Sequence, residues 1–206
     1  ALGHLSEWVR DATAAVTWVS VLSNPIGDGA DALIEVFEQN DKIQTLLGLE
    51  EGVQVLDLSK KQIDPGQAKI LAAEIRVRRF TAALTSINCL MNPLGEGVHT
   101  IIKVFEETPR LRTLCGLEEG VQQVDWSDSD KGPTDVALLA IELKAGRATA
   151  AVEAIAVGAN PITSDGGAIL LETIKTSKLK TIDIGKPLPL QAVSYTHLRA
   201  HETRRY

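Results

Sequence analysis

Aromatic residues are scarce in this sequence, at 4% of 206 residues, although 44% are hydrophobic. The core must therefore be built from Val, Ile, Leu and Ala, which favours thin, regularly stacked layers over a bulky enzyme core. Long apolar runs are missing as well. None approaches the roughly 20 residues that a membrane-spanning helix requires. The sequence therefore predicts an aliphatic core and no membrane span.

Cysteine and positive charge are also limited. The two cysteines, Cys89 and Cys115, lack CxxC or CxxH spacing, so we expect neither a disulfide framework nor a zinc site. Both occupy aliphatic positions of predicted strands, which favours buried thiols. The formal net charge of −6 argues against nucleic acid or an anionic membrane as a partner. The sequence has no signal-peptide pattern, and the expected location is the cytoplasm.

What the sequence does contain is a tandem repeat with an offset of 68 residues. The heptapeptide GLEEGVQ occurs at Gly48–Gln54 and again at Gly116–Gln122. Residues 23–59 match residues 91–127 at 19 of 37 positions. A motif beginning with Asn-Pro recurs at the same interval, at Asn24, Asn92 and Asn160. Such self-similarity is the signature of a repeat architecture.

Each repeat contains the shorter pattern LxxLxLxxNxL, in which L is any aliphatic residue. Alternating apolar positions predict a short strand with one buried face. The Asn that follows is expected to bond its amide to backbone groups where the chain leaves the strand, so Asn24, Asn92 and Asn160 are assigned a structural role. Gly and Pro residues then mark a turn, and a helix is expected to follow it each time. The predicted helices are Ala30–Gln39, Gln67–Arg76, Val98–Glu107, Thr134–Lys144 and Gly167–Thr176.

Two segments, 42–53 and 110–121, do not fit this spacing. Each reads as a strand, yet the next strand signature begins only about ten residues later, which is too short for a parallel crossover. Either the two neighbouring strands form a hairpin around EEG, or one of them leaves the sheet. A second, imperfect copy of the pattern follows each segment, with Lys61 or Ser129 in place of the Asn. We expect TLLGL and TLCGL to keep the sheet position and this degenerate unit to be distorted.

The pattern LxxLxLxxNxL, with NPxGxG leading into an Ala- and Leu-rich helix, resembles leucine-rich repeats of the ribonuclease-inhibitor type. RLRTLCGLEEG at 110–120 is similar to tandem repeats of microalgal and other protist proteins. The resemblance covers about residues 1–190. It implies an α/β fold, a right-handed solenoid or horseshoe with a parallel sheet on the concave face and helices on the convex face. It also implies a protein ligand held against the concave sheet.

The chain divides into a repeat array over residues 1–190 and a tail over residues 191–206. Residue 1 aligns with Lys69, inside a predicted helix, so we expect an array truncated at both ends, a fragment of a longer repeat protein. SYTHLRAHETRRY, at 194–206, is unrelated to the repeats and resembles translated adaptor sequence. A natural disordered tail is the alternative.

Candidate binding residues occupy the outward positions of the predicted strands, where side chains alternate with buried ones. They form a mildly acidic strip with one Trp, suited to a protein partner that carries Lys or Arg. Trp is enriched among binding hot spots. The competing interpretation is that these residues only keep the array soluble. The predicted partner-binding residues are Trp18, Ser20, Asp57, Asn88, Asp125 and Asp183.

No converging set of titratable residues indicates catalysis, so the sequence predicts no enzyme, no cofactor and no metal site. The GDG and GEG motifs are expected to be turns and helix starts, because no Lys-Ser or Lys-Thr follows them. Trp126 occupies an inward strand position and is expected to fill the core. The predicted function is a non-catalytic protein-interaction module. The alternatives are a structural spacer and a GTPase-activating regulator, although Arg76, Arg78 and Arg79 lie at the end of a helix on the outer side.

Overall fold

The computed structural model describes residues 16–185, in which five α-helices alternate with short strands. The helices are α1 (Ala30–Gln39), α2 (Pro65–Val77), α3 (Gly97–Glu107), α4 (Pro133–Ala145) and α5 (Thr163–Thr176). The strands are β1 (Val55–Asp57), β2 (Ser86–Asn88), β3 (Gln123–Asp125), β4 (Ala154–Ala156) and β5 (Thr181–Asp183). The mixed α/β class and all five predicted helices are confirmed. The tail at 191–206 lies outside the described residues.

The strands form two small parallel sheets, where the sequence predicted a single one. β1 pairs with β2, and β3 pairs with β4, which in turn pairs with β5. The middle residues of neighbouring strands are in register and face the core, as Val124, Ile155 and Ile182 do. The flanking residues of each strand lie on the opposite face.

The segment between β2 and β3 explains the break between the two sheets, and the segment ahead of β1 has the same structure. Residues 45 and 47 make only isolated bridges to Trp18 and Ser20, and residues 113 and 115 bridge to Ser86 and Asn88 in the same way. These segments keep a place beside the preceding strand, as expected. The expected distortion is not found in the strands of the following units, because β1 and β3 are regular. The loop after each strand does contain two non-glycine residues with positive φ, Lys60 and Gln62 after β1 and Asp128 and Asp130 after β3.

The helix boundaries follow from local sequence. Pro65 and Pro133 stand at the first turns of α2 and α4, where the missing N–H has no helical partner to lose. Asp64 caps α2 by accepting the Gln67 N–H at 2.7 Å. The GDG motif forms a 3₁₀ turn, Gly27–Gly29, directly before α1. The prediction that this motif is a helix start is confirmed.

The core lies between the helices and the inward faces of the strands, and each helix packs against the next one along the chain. Phe37 and Phe105 are fully buried within a mainly aliphatic cluster. Trp126 is 8% exposed, and both cysteines are buried, as their strand positions predicted. Burial raises the pKa of the Cys89 thiol to about 12.

Two of the three predicted structural asparagines tie neighbouring units together. The Asn92 amide donates to the carbonyls of Leu58 and Cys89 at 2.8 and 2.9 Å. Its Oδ1 accepts the N–H groups of Lys61 and Ile63, both at 3.0 Å. Asn160 repeats the arrangement one repeat later, with carbonyl contacts to Trp126 and Val157. Asn24 is exposed, and its amide bonds to the carbonyl of Leu22 at 3.1 Å.

Candidate functional site: the outward strand face

The outward residues at the carboxyl ends of the strands form a continuous line within each sheet. We call this line the strand-end row. The register places Asp57 beside Asn88 in one sheet, and Asp125, Ala156 and Asp183 side by side in the other. Neighbouring strands of a sheet are about 4.8 Å apart. Four of the six predicted residues are therefore brought together in two groups, and Asp57, Asp125 and Asp183 are exposed. Trp18 and Ser20 belong to neither sheet, and make isolated bridges to Thr45 and Leu47.

Trp18 and Val55 add exposed apolar surface at outward positions nearer the amino ends of their strand segments. Their exposed fractions are 55% and 69%, high values for large apolar residues. The Trp18 ring lies against Gly48, where an added Cβ would come within 2.8 Å of Trp18 Cζ2. Gly48 has a φ of +70°, which favours glycine. The backbone of the irregular segment therefore forms the floor beneath the indole.

The acidic residues of the strand-end row also bond to their own backbone, a role that the sequence reading missed. The carboxylates of Asp57 and Asp125 each accept the N–H two residues later at 2.9 Å, and Asp183 accepts that of Gly185 at 2.7 Å. Asn88 does the same with Leu90 at 3.2 Å. Asp and Asn form such turns readily, so an Asx residue directly after a strand was a usable signal.

These hydrogen bonds fix the charge of the row as well as its shape. The Ser59 hydroxyl and N–H lower the pKa of Asp57 below its ordinary value, with a smaller contribution from the charge of Lys61. The Ser127 N–H and hydroxyl likewise lower the pKa of Asp125. Hydrogen bonds to a carboxylate favour its ionised form. At neutral pH, the exposed face therefore presents the negative charges of Asp57 and Asp125, which hydrogen bonds hold in position.

The EEG turns add further acidic residues next to this face. Each turn connects an irregular segment to the next strand, β1 or β3, and therefore lies between the two sheet positions that fail to pair. The Glu119 carboxylate meets Arg112 Nε at 2.9 Å. The four exposed glutamates of the two turns are Glu50, Glu51, Glu118 and Glu119.

Two buried glutamates are a second feature that the sequence reading missed. Glu74 on α2 accepts the N–H groups of Leu46 and Leu47 at 2.6 and 2.7 Å, and the Thr45 hydroxyl at 3.1 Å. Glu142 on α4 holds Thr113, Leu114 and Cys115 in the same way. Glu142 and its three partners each lie 68 residues after Glu74 and its partners. The recurrence of a glutamate at equivalent helix positions was therefore the sequence signal for these contacts.

The buried glutamates have the perturbed pKa values that often mark active sites. Desolvation raises the pKa of Glu74 to about 7, against the opposing effect of the Leu46 and Leu47 N–H groups. Desolvation also raises the pKa of Glu142. Each carboxylate is occupied by backbone N–H groups of an irregular segment, which indicates a structural role. Within residues 16–185, no group of three or more potential ligand side chains is arranged to hold a metal ion.

Of the arginines considered for a GTPase-activating role, Arg79 binds the backbone of the preceding unit, while Arg76 and Arg78 lie exposed at the end of α2. Arg79 Nη1 donates to the carbonyls of Phe37 and Asn40 at 2.9 and 3.0 Å, and its guanidinium lies 4.4 Å from the centre of the Phe37 ring. Arg78 closes α2 with a φ of +65°. These positions give no support to an arginine that reaches a bound nucleotide.

No protein-family model matches this chain, and no curated protein matches it significantly. Over the residues that the structure describes, no helix combines the length and the apolar character needed to cross a bilayer.

Proposed function

We propose that this chain is a leucine-rich repeat array of the ribonuclease-inhibitor type, a right-handed solenoid that serves as a non-catalytic protein-interaction module. Three features support this architecture: the alternation of strand and helix, the stepwise packing of successive helices, and the bonds of Asn92 and Asn160 to the units before them. In such an array each unit contacts only its neighbours, and the repeated faces form an extended binding surface.

The proposed binding surface is the strand-end row together with Trp18. One observation carries the proposal: the carboxylates of Asp57, Asp125 and Asp183 are exposed and held in position by their backbone hydrogen bonds. Pre-positioned charges lose little side-chain entropy on binding. A partner with Lys or Arg at matching positions would gain association rate and specificity from them. Trp18 would supply an apolar anchor.

A structural spacer is the second candidate, and the same hydrogen bonds favour it. Each Asp accepts a backbone N–H where its strand ends. The acidic residues of the row therefore stabilise the turns after the strands even if no partner binds. Ala156 occupies the row without an acceptor side chain, so this function is not required in every strand. The two candidates therefore differ in whether the charge of the row matters or only its hydrogen-bond acceptors.

Substitution by asparagine separates charge from hydrogen bonding. The triple variant Asp57→Asn, Asp125→Asn and Asp183→Asn removes three charges and keeps the Oδ1 acceptors, as Asn88 already does in this chain. The measurement is affinity capture from source-cell lysate, with folding checked by circular dichroism. The interaction module predicts specific partners that the triple variant loses by at least tenfold.

A matched control removes the same number of charges from the helices, through Glu35→Gln, Glu106→Gln and Glu172→Gln, all at exposed positions. The proposed module requires this control to retain its partners. Equal capture by the wild type and both variants would contradict the strand-end row as the binding surface. Capture of no specific partner by the wild type would favour the spacer.

A further inference from the structure

A cavity at the ends of α4 and α5 lies away from the strand-end row. Its volume is about 380 Å³, within the size range of small-ligand sites. Residues from the end of α4, from the loop after it and from the segment after α5 form its walls. They include Leu143, Gly146, Thr149, Val152, Ser177 and Lys178.

The preceding repeat shows what the equivalent space contains. Arg110 stands 68 residues before Lys178, and its guanidinium enters the space at the end of α2. Arg110 Nη2 donates to the carbonyls of Ile75 and Thr81 at 3.4 and 3.0 Å. The corresponding carbonyls in the next repeat belong to Leu143 and Thr149, which line the cavity.

Among residues 16–185, no guanidinium takes this place, because lysine replaces arginine at position 178. Lys178 is exposed, and within residues 16–185 its ammonium makes no hydrogen bond to the carbonyl of Leu143 or Thr149. An ammonium is strongly hydrated and remains in water, whereas a guanidinium is more weakly hydrated and enters polar cavities more readily. The backbone of the loop is retained, since Val152 N–H bonds the Thr149 carbonyl as Leu84 N–H bonds that of Thr81.

The positive charge around the cavity is also smaller than around Arg110. Arg78, whose charge helps to lower the pKa of Arg110 after the larger effect of burial, is replaced by Gly146. Gly146 leaves open space where a side chain would stand. Lys144 and Lys178 are both exposed, so their charged ends lie at the rim in contact with water.

We infer that this cavity binds a guanidinium group, of the kind an arginine side chain carries, through the carbonyl oxygens of Leu143 and Thr149. The guanidinium takes the place that Arg110 fills one repeat earlier. The inference is independent of the proposed function, because it rests on a different surface.

The test is a titration of the ¹⁵N-labelled full chain with N-acetyl-arginine amide, followed by chemical shifts. We expect the amide signals of residues 143–152 and 176–178 to move. N-acetyl-lysine amide at the same ionic strength should bind at least tenfold more weakly. Equal responses to the two compounds would overturn the inference. So would the same shifts produced by sodium sulfate alone, since that would indicate an anion site of Lys144 and Lys178.

Two reciprocal variants provide the controls. Lys178→Arg should fill the cavity from within, raise Tm and abolish the response to the arginine compound. Arg110→Lys should open the equivalent space, lower Tm and add shifts at residues 75–84, with part of the lost Tm recovered at saturating ligand. An unchanged titration in folded Lys178→Arg would contradict the assignment.

Free L-arginine distinguishes the source of the group. Equal binding of free and capped arginine would indicate that the cavity recognises the guanidinium alone. Preference for the capped form would indicate an arginine within a peptide. Binding of neither compound would refute the inference.

Discussion

At the residue scale, buried polar side chains of this protein bond chiefly to backbone atoms of neighbouring units. Asn92 and Asn160 satisfy carbonyl and N–H groups on two successive turns of chain. Since a buried backbone group without a partner costs free energy, one such residue stabilises two units together. The asparagine of the repeat motif is therefore a link between units as well as the end of a strand.

Asn92→Ala tests this role. It removes hydrogen bonds to Leu58, Cys89, Lys61 and Ile63. Because it leaves buried groups unpaired, we expect the free energy of unfolding to fall by about 3 kcal/mol. The measurement is urea unfolding, with Asn24→Ala as the control. Asn24 is exposed and its amide bonds only nearby backbone, so its loss should cost under about 1 kcal/mol. Equal losses in the two variants would contradict the role.

At the element scale, the glutamates of α2 and α4 decide where the sheet is interrupted. The N–H groups of Leu46 and Leu47 point to Glu74, so they are unavailable to a following strand. The chain then turns at Gly48 and enters β1 after the EEG turn. Spacing alone predicted that residues 42–53 were anomalous. It did not identify the helix residue that accepts their N–H groups, because that contact spans 27 residues or more.

The raised pKa of Glu74 predicts a specific pH dependence. The folded state keeps its proton up to about pH 7, whereas the ordinary value is 4.5. The folded state therefore binds more protons between these values, and the contribution of Glu74 to stability falls as pH rises through them. Glutamine cannot ionise and retains an acceptor oxygen. We expect the free energy of unfolding of Glu74→Gln, relative to that of the wild type, to rise by about 2.5 kcal/mol between pH 5 and pH 8.

The measurement is urea unfolding at both pH values, with Glu106→Gln, on the exposed surface of α3, as the control. The free energy of unfolding of the control, relative to that of the wild type, should differ little at pH 5 and equally little at pH 8. If Glu74→Gln destabilises the protein by the same amount at both values, the carboxylate is ionised throughout and its backbone donors dominate over burial.

At the scale of the whole molecule, stability is expected to be distributed unit by unit. Successive helices pack in chain order, and the described strands fall into two separate sheets. In an array stabilised by nearest-neighbour contacts, damage in one unit spreads only weakly to distant units. This expectation follows from the proposed solenoid and distinguishes it from a single cooperative core.

Ile155→Ala is a suitable perturbation, because Ile155 is 3% exposed and lies at the centre of the three-stranded sheet. We expect a loss of about 3 kcal/mol in that region. Amide hydrogen exchange should show reduced protection in β3, β4 and β5, with protection in β1 and β2 nearly unchanged. A uniform loss across both sheets would instead indicate one cooperative unit and would contradict the proposed independence of the units.

The sequence by itself determined the 68-residue repeat, the positions of the five helices and of β1 to β5, the inward strand residues, and Asn92 and Asn160 as residues that bond backbone groups after a strand. These features are local, and their periodicity records which face of each element is buried. Only the tertiary structure decided the break in the sheet, the carboxylate contacts of Glu74 and Glu142, and the cavity beside Lys178. Each of these depends on which side chain meets which backbone group across 27 residues or more, and a local pattern does not encode that pairing.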